Sequence, residues 1–291
     1  MPAGTSPIAW VGGKYVAARR IVAAFPPAQT YGTYVDVFGG AAHVLVAKPR
    51  GNHLEVYNDV YGDLVNFWMV ARDRPEALQA RLETLPFSRQ LYRAYRASLQ
   101  AETTMDDVER ATRWFYVMRS TFGGGPDFSA GWGYSVQEGN HRARTLRSAT
   151  ALLTAVAARF RLVQIECQDF ATLITTYQTR RTLLYCDPPY IGCEDYYNVG
   201  ETPVFTADDH ARLAHLLNET PALVAVSYYE HPLLDDLYPA PTWRRLTWTQ
   251  PKAVERTRTA RKLAREMLLM NYPATQGQLW SLNEQEESTV W

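Results

Sequence analysis

The tetrapeptide Asp187-Pro188-Pro189-Tyr190 closes a short apolar run, Thr182–Cys186. Each proline fixes its own φ and pushes its predecessor into extended backbone. The Asp187 carboxylate and the Pro188 carbonyl are thus held stiffly, and neither proline brings an N–H to compete for them. Two acceptors in fixed geometry suit an amino group with two hydrogens to donate. Tyr190 adds a flat face for stacking, read here as an exposed ring. The corner therefore suits a planar aromatic amine.

Other acids fall at comparable places. Asp36, Phe38, Gly39 and Gly40 end one strand-like run, Asn58 and Asp59 end a second, and Asp169 and Phe170 follow a third. In open α/β sheets ligands bind beyond the carboxyl ends of the strands, so four acidic strand ends in a row point to one edge. Any one of them alone reads equally well as a helix cap or turn residue. Gly39-Gly40 lets the backbone approach a ligand closely. Asp59 stands about 20 residues further on, where nucleotide-binding folds place a ribose-hydroxyl acceptor.

The elements that must position these residues alternate. Strand patterns are read at Tyr34–Phe38, Leu54–Tyr57, Leu162–Glu166, Thr182–Cys186, Leu223–Ser227 and Glu266–Asn271. Helical spacing is read at Tyr15–Phe25, Asp63–Ala71 and, after a Thr206 cap, Asp208–Leu217. This alternation predicts an α/β, Rossmann-like, largely parallel sheet covered on both faces. From about Glu76 to Phe160 the patterns are nearly all helical: Ala77–Leu85, Arg89–Leu99, Val108–Arg119 and Thr145–Phe160. A glycine-aromatic stretch, Thr121 to Ser135, interrupts them. The expected division is an α/β domain from residues 1–75 and 161–291, with residues 76–160 as a helical insert.

Composition limits the class further. The chain has 291 residues, 46% of them hydrophobic, and balances 30 basic against 30 acidic residues. The basic residues cluster, Arg142, Arg144 and Arg147 in one group and Arg244 to Arg265 in another, which leaves a polyanion partner open. Either cluster alone also reads as a solvated face. No apolar run reaches membrane-spanning length and the N-terminus lacks secretory features. Cys167, Cys186 and Cys193 form no CxxC pair and read as free thiols in a reducing compartment, with a cytoplasmic location expected. GxGxxG and GxxxxGK[ST] are missing, and His53-Leu54-Glu55 has no PCxxC after it, so dinucleotide oxidation, phosphate-loop chemistry and zinc deamination are disfavoured. No metal is expected.

Taken in order, these motifs resemble those of the Dam-type family of DNA adenine-N6 methyltransferases. Trp10-Val11-Gly12-Gly13-Lys14 is similar to its N-terminal element, and Tyr34-Val35-Asp36-Val37-Phe38-Gly39-Gly40 to its first cofactor strand. Tyr57-Asn58-Asp59, Asp169-Phe170, Asp187-Pro188-Pro189-Tyr190 and Glu266 to Tyr272 match in turn. One departure is Ala42, where family members often carry glycine.

The resemblance implies S-adenosylmethionine held by Trp10, Gly12, Gly13, Lys14, Asp36, Phe38, Gly39, Gly40, Asp59, Asp169, Phe170 and Asp187. It also implies an adenine flipped out of double-stranded DNA onto Asp187, Pro188, Pro189 and Tyr190. Target recognition falls to the helical insert, with Arg142, Arg144 and Arg147 as DNA contacts. A monomer suffices for base flipping. Methylation of another planar amine, such as cytosine N4 or RNA adenine, and an inactive DNA-binding homologue remain the alternative readings.

Overall fold

The structure, a computed structural model, describes residues 6–101, 103–122, 131–136, 141–197, 204–251 and 263–274, with the backbone alone at residues 196, 197 and 251. Seven strands form one sheet: β1 (Thr33–Asp36), β2 (Leu54–Asn58), β3 (Val163–Glu166), β4 (Thr182–Cys186), β5 (Leu223–Tyr229), β6 (Arg244–Pro251) and β7 (Leu263–Met270). Their spatial order is β3-β2-β1-β4-β5-β7-β6. The first five run parallel, whereas β7 lies antiparallel to both β5 and β6.

Strands of a sheet covered on both faces read as continuous apolar runs. β4 is buried along its whole length. Its side chains divide by period two: Leu183 and Tyr185 enter one core, Leu184 and Cys186 the other. The first core lies under helices α1 (Ala18–Ala23), α2 (His43–Ala47), α3 (Gly62–Asp73), α4 (Pro75–Thr84), α5 (Arg89–Gln100), α6 (Asp107–Ser120), α7 (Arg142–Thr150) and α8 (Leu153–Phe160). The second lies under α9 (Phe170–Tyr177), α10 (Ala207–Glu219) and α11 (Leu233–Leu237).

The helices of residues 76–160 share the first core with the sheet. Phe67 of α3 stacks on Phe115 of α6, with centroids 5.1 Å apart. Trp68 of α3 stacks on Phe160 of α8 at 4.5 Å. These helices thus pack on the same apolar face of the sheet that carries Tyr34 of β1 and Tyr57 of β2.

Two elements differ from the sequence reading. The helix expected over Thr145–Phe160 is two helices, parted at Ala151 and Leu152, which keep right-handed helical dihedrals in a tight turn. No glycine or proline marks that bend. The segment Arg244–Pro251, read as part of a basic surface stretch, is the edge strand β6. Its Leu246 and Trp248 pack on the core while Arg245 and Thr249, on either side of them, are exposed. Most of the remaining basic cluster, at 252–262, lies outside the described residues, as do 123–130 of the glycine-aromatic stretch.

Candidate active site

The sheet reverses direction of growth between β1 and β4, and a crevice opens there beyond the carboxyl ends, as expected at such a switch point. The pairing of Asp36 with Tyr185 levels the two strand ends. The cleft contains about 860 Å³ of empty space, its open mouth included, and is lined by Trp10, Gly12, Gly13, Lys14, Asp36, Phe38, Gly39, Gly40, Asp59, Asp187 and Pro189. Segments far apart in sequence thus meet in one place.

The glycines have definite reasons. A Cβ at Gly39 would stand 2.1 Å from the Tyr57 ring, so the loop closes only on glycine. Gly40 has φ +48° and its carbonyl accepts from the Tyr57 hydroxyl at 2.7 Å and the Trp68 indole at 3.1 Å. Its amide donates to Asp59 Oδ2 at 2.9 Å, while Asp59 Oδ1 accepts from the Tyr61 amide at 2.9 Å. Asp59 therefore ties the β1 loop to the β2 loop. Ala42 takes a left-handed conformation, φ +56°, which explains why glycine suits that position.

Charge in the cleft is unbalanced. Asp36 is pushed well above its ordinary range by burial, and further by Asp187 and Asp59. Asp59 is raised by burial against the pull of backbone amides. Asp187 is raised to about 6 by burial and by Glu266, with Lys14 opposing. Lys14 answers these acids from the side: its Nζ lies 2.7 Å from Asp187 Oδ1 and 3.5 Å from Glu266 Oε1. Burial alone would lower the Lys14 pKa, but the two carboxylates hold it above the ordinary value. His43, on the same wall, is lowered to about 4 by burial and by Lys14.

Tyr190 differs from the exposed ring expected. It is 5% exposed, its hydroxyl donates to Glu266 Oε1 at 2.5 Å, and Lys14 Nζ stands 4.7 Å from its ring centroid. A buried phenol needs a partner for its hydroxyl, and β7 supplies one in the interior. Phe170 lies behind the cleft, 5.6 Å from Phe38 and 5.7 Å from Phe205, ring centroid to centroid. Asp169 stands apart from the lining: it accepts from the Ala171 amide as the cap of α9 and pairs with Arg212.

The three arginines divide. Arg142 donates to the carbonyls of Gly133 and Thr121, at 3.3 and 3.1 Å. Arg147 donates to the carbonyls of Leu82, Glu83 and Leu85, at the end of α4. Arg144 is exposed. Residues the sequence reading missed include Phe205, which joins the aromatic wall through Phe38, and Glu266. An acid opening an otherwise apolar strand was the available signal for Glu266.

A seven-stranded sheet of this order, with its last strand reversed and an acidic cleft at the switch point, defines an α/β methyltransferase. The chain belongs to the D12 class of N6 adenine-specific DNA methyltransferases, whose family model matches residues 10–253. It is an enzyme that methylates adenine in DNA. A relative, the Type II methyltransferase M1.LlaDCHI of Lactococcus lactis subsp. cremoris, is 25% identical over 250 residues, covering 79% of this chain and 82% of that protein.

Proposed function

We propose that the methyl donor is S-adenosylmethionine, bound in the cleft between β1 and β4, and that adenine is presented to Asp187 out of the duplex. The observation carrying this reading is the convergence of Asp36, Asp59 and Asp187 on one cleft beside the single ammonium of Lys14. Carboxylates held above their ordinary pKa by burial favour a cationic ligand, and the aromatic group of Phe38, Phe170 and Phe205 favours a flat one. Bound there, S-adenosylmethionine supplies an electrophilic methyl group.

The chain's own residues do the rest. Gly39 and Gly40 let the loop approach the ligand, and Asp59 fixes that loop. Asp187 and the Pro188 carbonyl accept the two hydrogens of the target amine. Acceptance by both favours a pyramidal nitrogen with its lone pair freed from the ring. Positioning and charge stabilisation then account for the step. Asp187, with its raised pKa, is the nearest acceptor for the proton the product nitrogen sheds.

Residues 76–160 serve as the target-recognition insert. Arg144 contacts the phosphate backbone, and Arg142 and Arg147 hold the supporting loop and helix end in place. Among the described residues no helix is long and apolar enough to cross a membrane. Three free thiols fit a reducing cytoplasm, and a monomer suffices for base flipping. The test is transfer of labelled methyl groups to unmethylated DNA, with Asp187→Ala as control. Transfer abolished by the substitution supports the reading, and transfer retained overturns it.

A further inference from the structure

Glu266 opens the inward-facing part of β7 and is 1% exposed. Both of its carboxylate oxygens are engaged. Oε1 accepts from the Tyr190 hydroxyl at 2.5 Å and lies 3.5 Å from Lys14 Nζ, while Oε2 accepts from the Gln250 amide of β6. Three ionisable groups from remote parts of the chain, Lys14, Asp187 and Glu266, thus share one buried cluster with Tyr190.

Lys14 stands nearer Asp187 than Glu266, 2.7 Å against 3.5 Å. The oxygen it occupies, Oδ1, is buried from solvent, which leaves Oδ2 for the target amine. Were Asp187 its only partner, protonation of that carboxylate by the product amine would strand a buried ammonium at large cost. A second carboxylate within a short side-chain swing removes the obstacle.

We propose that Glu266 is a positioning residue of the methyl-transfer site, the standing counter-ion of Lys14 and the anchor of the Tyr190 hydroxyl, which keeps Lys14 paired when Asp187 takes up the proton of the target amine. The proposal rests on the reading that Asp187 accepts that amine. The groups facing Asp187 are Lys14 from the N-terminal segment, Glu266 from β7, Asp36 from β1, Tyr228 from β5, and Tyr185 and Tyr190 from its own strand end. Of these, Lys14 lowers the Asp187 pKa, Glu266 raises it, and Tyr190 lowers it slightly.

The experiment is single-turnover transfer of labelled methyl groups from S-adenosylmethionine to unmethylated plasmid DNA, enzyme in excess, across the pH range of Asp187 titration. Glu266→Gln should lower the rate about tenfold while leaving S-adenosylmethionine affinity within about threefold. Its acid limb should move to lower pH by about half a unit, because the carboxylate loses a like-charged neighbour. Glu266→Asp, which keeps the charge, should recover part of the rate and retain the parental limb.

A Glu266→Gln enzyme with parental rate overturns the proposal. So does one that loses rate with its acid limb unmoved, since a purely structural role predicts that result. Where Glu266→Gln fails to fold, Glu266→Asp decides: a reduced rate on the parental limb, with melting temperature unchanged and S-adenosylmethionine affinity within about threefold, supports the proposal, and parental rate, or rate lost together with stability or affinity, overturns it. Retained transfer by Asp187→Ala would instead overturn the underlying reading, whatever Glu266 does.

Discussion

Asp187 sits where burial and Glu266 raise its pKa to about 6 against the pull of Lys14 and, more weakly, of Tyr190. As an acceptor it works ionised, so kcat/KM should fall about tenfold per pH unit below about pH 6 and level off above it. A flat profile through that region would remove the carboxylate from its assigned place. Stability has the opposite sign: a raised carboxylate pKa means the folded state binds the extra proton, so this group's contribution falls as pH rises from its unfolded value through about 6. A cationic ligand reverses the shift, so S-adenosylmethionine binding at pH 6 should release protons, measurable by calorimetry in buffers of different ionisation enthalpy. Proton uptake would contradict the charge argument. Ala42→Gly should change stability by less than about 1 kcal/mol. Relief of left-handed strain, about 1–2 kcal/mol, is offset by glycine's chain entropy and the lost buried methyl. Denaturant unfolding would show a gain above that range if the loop were more strained than its dihedrals imply.

At the scale of elements, the α7 arginines separate two roles that the sequence merges. Arg147 closes the end of α4 by donating to three carbonyls, whereas Arg144 is exposed on the same helix. Arg144→Ala should reduce the slope of log affinity for DNA against log salt by about one and leave the melting temperature alone. Arg147→Ala should lower stability by about 0.5–1.5 kcal/mol, the net worth of hydrogen bonds to carbonyls that water can partly replace. Equal salt slopes in the two variants would refute the division. On the opposite face, Thr206 and Asp209 form a complete capping box at the start of α10. Thr206 was legible as a cap because threonine precedes an acid three residues on and an apolar period beyond. The α7–α8 bend was not legible, because Ala151 and Leu152 carry no local breaker and tertiary packing decides it.

The whole molecule couples cleft to stability. The lining residues come mainly from the N-terminal segment and the ends of β1, β2 and β4, so a ligand bound there braces several elements at once. S-adenosylmethionine at a hundred times its dissociation constant should raise unfolding free energy by about 2.7 kcal/mol. Thermal unfolding with and without it checks this, and no shift would place the methyl donor elsewhere. The order of motifs along the chain was enough to define the α/β class, the run of acidic strand ends and the proline corner, because these follow from local preferences and period-two patterns. Edge strand β6 hid behind its arginines, since an edge strand keeps one apolar row and a charged one. Only tertiary structure decided that Tyr190 turns inward, that Glu266 lies beside Lys14, and that Arg147 serves a helix end. Each depends on partners tens to hundreds of residues away, and a buried hydroxyl, ammonium or guanidinium goes wherever the fold offers it an acceptor.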